Sequence, residues 1–280
     1  MTLISGLNSG LSDGLRSGLN AGGCVPAPGL VSAALPNASF PVNAADVATK
    51  FGVPAMLPSY IWDCQEDVPV LIDALQNEPL VSNQIYSDDL VMDVATSLES
   101  GARRGLQLTN GSINGLVATS SQLMNPYNGS VAWLAVIKIA SISGFKGVGG
   151  YGRGINGGNE TAGMGGYTDT LGRWGAQLSD GTTSATSAVY ATDICDNAWH
   201  IIGHRISGNS ARVMTESGEQ DRDISALTWA DDNKGYFRIG DNVSFPAQEM
   251  TVAYILGFEG AAADAVTQAS LATFHAAELV

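Results

Sequence analysis

Residues 130–141, SVAWLAVIKIAS, are nearly uncharged and rich in β-favouring apolar side chains. Side chains alternate between the two faces of a strand. Trp133, Ile137 and Ile139 then share one face, and Leu134 and Val136 share the other. A strand that is apolar on both faces belongs in the middle of a sheet. AWHIIGHRIS (198–207), ARVMTES (211–217), YFRIGD (236–241) and TVAYILGFE (251–259) also read as strands. GNS, ESGEQ and ADDNKG supply turns between them. No long amphipathic helix interrupts this series, which argues against a parallel α/β sheet. The exception is the alanine-rich tail 260–280, where Val266, Leu271 and Phe274 line one face of a helix packed on the body. The pattern predicts an all-β antiparallel body over residues 58–280 with a C-terminal helix.

The first residues follow another rule. Leucine recurs at Leu3, Leu7, Leu11, Leu15 and Leu19, and glycine at Gly6, Gly10, Gly14 and Gly18. As a helix, the repeat forms two slowly winding stripes, at about 1 kcal/mol per interior glycine relative to alanine. As a strand, it puts every leucine on one face and every glycine on the other. Neither form is stable alone, and either becomes reasonable against a partner. Residues 24–58 add six prolines, which favour extended segments, and Asn43–Phe51 suits a short helix capped by Asn43. Residues 1–57 are therefore expected to be an assembly arm. The start lacks the continuous apolar stretch of a secretion signal, because Arg16 and the glycines interrupt it.

Composition narrows the partners. Charged residues make up only 14% of 280, so Thr, Ser, Asn and Gly carry much of the solvation. A net charge of −14 repels phosphate backbones and excludes nucleic acid as a natural partner. No run of 18 apolar residues is present, so no membrane helix is expected. Cys24, Cys64 and Cys195 lie far apart, without metal or disulfide spacing, and are read as buried thiols.

The order WHIIGHRISGNSARVMTESGEQ (199–220), YFRIGD (236–241), TVAYILGFEGAAADAVTQASLATF (251–274) resembles the laminin-G-like branch of the concanavalin A-like lectin/glucanase superfamily. YIWDCQEDVPVLIDALQNEPLV (60–81) is similar to the first strand of such domains. The resemblance spans roughly 60–280 and implies a curved two-sheet antiparallel jelly roll. It implies no chemistry, because that fold carries lectins, glycosidases and inert interaction modules alike.

The residues themselves give little sign of catalysis. Glycosidases of this superfamily share a Glu-x-Asp-x-(x)-Glu strand that aims carboxylates into one cleft. Here Glu216-Ser-Gly-Glu219-Gln-Asp221 comes nearest, and it reads as a solvated hairpin turn. His200 and His204 would chelate zinc on a helix, but four residues of strand span about 13 Å. Asp193/Asp196 and Asp231/Asp232/Asn233 are acidic loop clusters better suited to turn capping than to calcium. GVGGYG (147–152) fits a dinucleotide pattern without a helix to cap a pyrophosphate, and is expected to be a long loop or irregular hairpin. Tyr151, Arg153, Tyr167 and Trp174 in or near it are candidates for glycan or subunit contact. No cofactor or metal is implied.

Two function classes remain. The first is a non-catalytic virion structural protein, a bacteriophage capsid decoration or fibre-type protein. It would attach to itself and to other virion proteins through the arm, whose Gly-Leu repeat resembles segments of bacteriophage virion proteins. The second is a lectin-like adhesion module that binds surface glycans.

Overall fold

The computed structural model describes residues 44–63, 70–73, 78–80, 106–108, 116–118, 126–141, 144–152, 162–186, 193–229, 236–239 and 248–279. The chain divides into a unit Met1–Ala34 and a unit Leu35–Val280, and every described residue belongs to the second. The repeat leucines Leu3 to Leu19, the glycines Gly6 to Gly18, the Asn43 cap, Cys24, Cys64, Arg153 and the cluster Asp231/Asp232/Asn233 lie outside the described residues.

The strands are β1 (Tyr60–Asp63), β2 (Val70–Asp73), β3 (Glu78–Leu80), β4 (Leu106–Leu108), β5 (Leu116–Ala118), β6 (Val131–Lys138), β7 (Lys146–Gly152), β8 (Ala162–Thr168), β9 (Trp174–Asp180), β10 (Ser184–Thr186), β11 (Trp199–Ser207), β12 (Ser210–Thr215), β13 (Gly218–Asp223), β14 (Tyr236–Ile239) and β15 (Met250–Glu259). The helices are α1 (Ala44–Phe51), α2 (Ala261–Asp264) and α3 (Gln268–Glu278). Among the described residues, one sheet runs β13-β12-β11-β6-β15-β1-β2-β3, with β4 also on β15. The other runs β10-β9-β8-β7-β14-β5. Neighbouring strands pair antiparallel, so the body is a two-sheet antiparallel β-sandwich.

Strand β6 sits between β11 and β15, as its two apolar faces require. Trp133, Ala135, Ile137 and Ile139 enter the core between the sheets with Val148, Met164, Trp174 and Leu178 from the facing sheet. Ala132, Leu134 and Val136 enter a second core on the outer face, under the helices. In β15 the register slips between Val252 and Tyr254. This bulge leaves Val252 and Ile255 inside and puts both Ala253 and Tyr254 into the outer core.

The alanine-rich tail forms two helices instead of one. Thr267 caps α3 in a reciprocal capping box with Ser270, which breaks the chain after α2. Leu271 and Phe274 of α3, with Val266 just before it, are buried as the spacing required. The outer core also takes Val47 and Phe51 of α1 and Met56, from the segment assigned by sequence to the arm. Phe51 stacks on Phe274 with centroids 4.6 Å apart, and Lys50 pairs with Glu278 at 2.9 Å. Each such apolar side chain contributes about 1.5–3 kcal/mol on burial. The packed body therefore starts by residue 44, ahead of the boundary at 57.

The glycine-rich stretch is ladder and not a long loop: β7 and β8 form a hairpin with a bulge between Gly147 and Gly149. Glycine serves a close approach here. A Cβ on Gly166 would lie 2.1 Å from Cη2 of Trp174, so only glycine lets that indole lie across β8.

Candidate functional site

The start of β7, the end of β8 and the starts of β9 and β11 meet at one end of the sandwich. A hydrogen bond from Gln248 N, just before β15, to Gly147 O of β7 (2.8 Å) ties the two sheets together there, and one from Asn197 N to Ile139 O (2.9 Å) continues the β11–β6 pairing. The turn between β8 and β9 is organised by Asp169. Its Oδ1 accepts from Leu171 N and Arg173 N, both at 2.9 Å, and its Oδ2 accepts from Arg173 Nε at 2.7 Å. Burial alone would raise the Asp169 carboxyl, but the Arg173 bonds and charge outweigh it and hold the group below its ordinary value. Gly172, with φ of +76°, lets the turn pass Asp193, whose Oδ1 would meet a Cβ there at 2.2 Å. Asp193 and Asp196 accept from Cys195 N and Ala198 N, both at 2.8 Å, which is turn capping as expected. Cys195 is half-buried, and burial first, then the nearby aspartates, pushes its thiol up to about 12.

The tight turns push two apolar side chains outward. Phe145 is 47% exposed and leans on Tyr167 with centroids 5.9 Å apart, and Leu171 is 63% exposed. Lys146 pairs with Thr168, so Phe145 stands level with the Asp169–Arg173 turn. The partly exposed Arg173 guanidinium, held by Asp169, completes an apolar and cationic rim.

Beside this rim, His200 Nδ1 lies 2.7 Å from Glu216 Oε1, and its Nε2 lies 3.0 Å from Asp196 Oδ1. An ionised carboxylate only accepts, so the two contacts together favour the form in which both ring nitrogens donate, the imidazolium. Burial would lower its pKa, but the Glu216 and Asp196 bonds outweigh that and raise it. The same bonds lower Glu216 against its own burial. Glu216 is therefore a buried ion-pair partner and not a solvated turn residue. Its second oxygen accepts from Ile201 N at 3.2 Å, and its carbonyl accepts from Gln268 at the start of α3 at 2.6 Å. Glu219 and Asp221 are both held by Arg212. The three carboxylates are thus spent on two cations, Glu216 on His200 and the other two on Arg212, instead of converging on a cleft.

His204 lies in strand β11, as predicted. It is 1% exposed, and neither ring nitrogen has a hydrogen-bond partner. An unmade hydrogen bond at a buried group costs about 1–3 kcal/mol. Burial alone pushes this imidazole down to about 3.

Of the four aromatic and basic candidates, the structure describes the surroundings of Trp174 and Tyr167. Trp174 is 0% exposed: its ring meets Trp133 edge-on at 5.6 Å, and its Nε1 donates to Gly203 O at 3.0 Å. Tyr167 is 4% exposed. Both are packing residues and not an open platform, because alternation turns Trp174 inward and Phe145 covers Tyr167. Tyr151 pairs with Met164, whereas Tyr167 pairs with Gly147, so they stand about 10 Å apart along the hairpin. Sequence reasoning missed Phe145 and Leu171. Their signal was a large apolar residue next to a glycine at a turn: Gly144-Phe145 and Leu171-Gly172.

The sequence matches no protein-family model and no curated protein. The fold does match solved structures. The binding domain of botulinum neurotoxin serotype G superimposes with a TM-score of 0.54 at 9% identity, over 78% of this chain and 50% of that one. The binding domain of botulinum neurotoxin DC, in complex with SialylT, gives 0.52 at 10%, over 79% and 52%. The serotype D binding domain gives 0.52 at 10%, over 78% and 51%. This chain spans about half the length of those structures. The likeness shows the β-sandwich fold.

Proposed function

We propose that the chain is a non-catalytic, lectin-like binding module that holds carbohydrate at the Phe145–Leu171–Arg173 rim. The observation that carries this reading is the exposed Phe145 on a hydrogen-bonded loop end, in a fold like that of binding domains. An aromatic face takes the apolar C–H side of a sugar ring, and neighbouring polar groups fix its orientation. Ionised, cation-paired carboxylates suit this better than glycoside hydrolysis, which needs one carboxylic acid protonated. The test is a glycan array, including neutral and sialylated sugars, probed with the full chain and with Phe145→Ala. Binding to a defined glycan class that falls at least tenfold in the variant supports the reading. A blank array, or binding indifferent to Phe145 and Leu171, overturns it.

A second reading, a bacteriophage virion structural protein anchored by residues 1–57, is favoured by the strict phase of Leu3, Leu7, Leu11, Leu15 and Leu19. A groove with evenly spaced pockets would require that phase. The two readings combine if the arm anchors the chain and the sandwich is displayed.

A further inference from the structure

We propose that His204 makes the sandwich acid-labile: its protonation forces open the core between the sheets around Trp133 and Trp174. The imidazole occupies an inward register position on β11, opposite Trp133 of β6 and Val213 of β12. Its neighbours along the same face of β11, Ile202 and Ile206, belong to the apolar inter-sheet core. The Trp174 indole of the facing sheet is pinned to the adjacent Gly203 carbonyl. Among the described residues no carboxylate or cation faces His204 from β6, β12 or the other sheet, and burial is the sole influence on its titration. On its own strand, His200 is four residues away and committed to Glu216 and Asp196. Arg205 is committed to the carbonyls of Asp264 and Val266. A proton on His204 therefore finds no acceptor, and the cation is solvated only if the layer opens.

The sign follows from linkage. The unfolded chain takes up this proton below about pH 6.5, and the folded chain takes it up only near 3, so stability falls with pH between those values. At pH 5 the folding constant should lie about 30-fold below its value with His204 neutral in both states. His200 acts in the opposite sense, because its raised pKa makes it more stabilising as pH falls toward 6.5. The chain has three histidines, so single variants can separate these effects.

The experiment measures urea unfolding of the full chain at pH 7.5 and 5.0 by tryptophan fluorescence, for wild type, His204→Leu and His204→Phe. The expected result is that either variant loses about 30-fold less in folding constant across this interval than wild type. Parallel behaviour of wild type and variants overturns the proposal. If neither variant folds, NMR titration of the wild-type imidazoles decides. A His204 ring that stays neutral until the domain unfolds supports the switch, and one that titrates near 6.5 in the folded chain overturns it.

Discussion

The two cores of this sandwich are closed in different ways. The inter-sheet core draws on both sheets at once: Trp133, Ile137 and Ile202 come from one, Met164, Trp174 and Leu178 from the other. The outer core is the back of a single sheet closed by short helices, with Phe274 packed between Phe51 and Tyr254. Opening the first requires separating two hydrogen-bonded sheets. The second can open locally by lifting α1, an eight-residue helix whose Val47 and Phe51 are buried and whose Lys50 pairs with Glu278. Cooperative and local unfolding should therefore divide along this line.

The largest effect is expected from Trp174→Ala, at about 3–5 kcal/mol. It should appear as a lowered urea midpoint in a single transition. A small or biphasic change would break the claim that this core holds the sheets together. Phe51→Ala should cost less than a full core truncation, about 2–3 kcal/mol, because α1 can detach. Hydrogen exchange should then speed up at residues 44–51 while amides of β6 and β11 keep their protection. Equal acceleration in both regions would erase the distinction.

Glu216→Gln, at the joint between β12 and α3, should cost about 1–3 kcal/mol. Glu216 is stabilising above its ordinary range near 4.5, and that contribution is lost as pH falls through its lowered folded value. His200 is fully stabilising below about 6.5, and its contribution is lost as pH rises through its raised folded value. The gap between wild type and variant should therefore be widest between about pH 4.5 and 6.5 in a series of urea midpoints. The smallest effect on stability, under about 0.5 kcal/mol, is expected from deleting residues 1–23. That truncation should instead abolish oligomerisation or incorporation into an assembly, seen by light scattering or electron microscopy. Normal assembly of the truncated chain would remove the arm from the account.

Some of this was legible in local chemistry. Alternation in 130–141 gave both faces of β6, and the spacing of Val266, Leu271 and Phe274 gave the buried side of the tail. Each signal is periodic and short-ranged, and backbone geometry converts it directly into a face. The site was not legible in the same way. Trp174 reads as a sugar platform until the facing sheet covers it, and Phe145 goes unnoticed until Lys146 pairs with Thr168 and leaves it outside. Glu216 looks like a turn residue until the start of β11 brings His200 to it.

What the sequence settled alone was the kind of layer: antiparallel strands, a doubly apolar central strand and a helical tail. Those features depend on period, and period is a property of neighbours along the chain. Tertiary structure decided what each side chain faces. A one-residue bulge moves Tyr254 to the helices while Ile255 stays between the sheets, and sixteen residues of strand β11, turn and strand β12 bring His200 back to Glu216. His204 became an unsolvated imidazole only when two sheets closed over it, because burial belongs to the assembled layers and not to any residue within them.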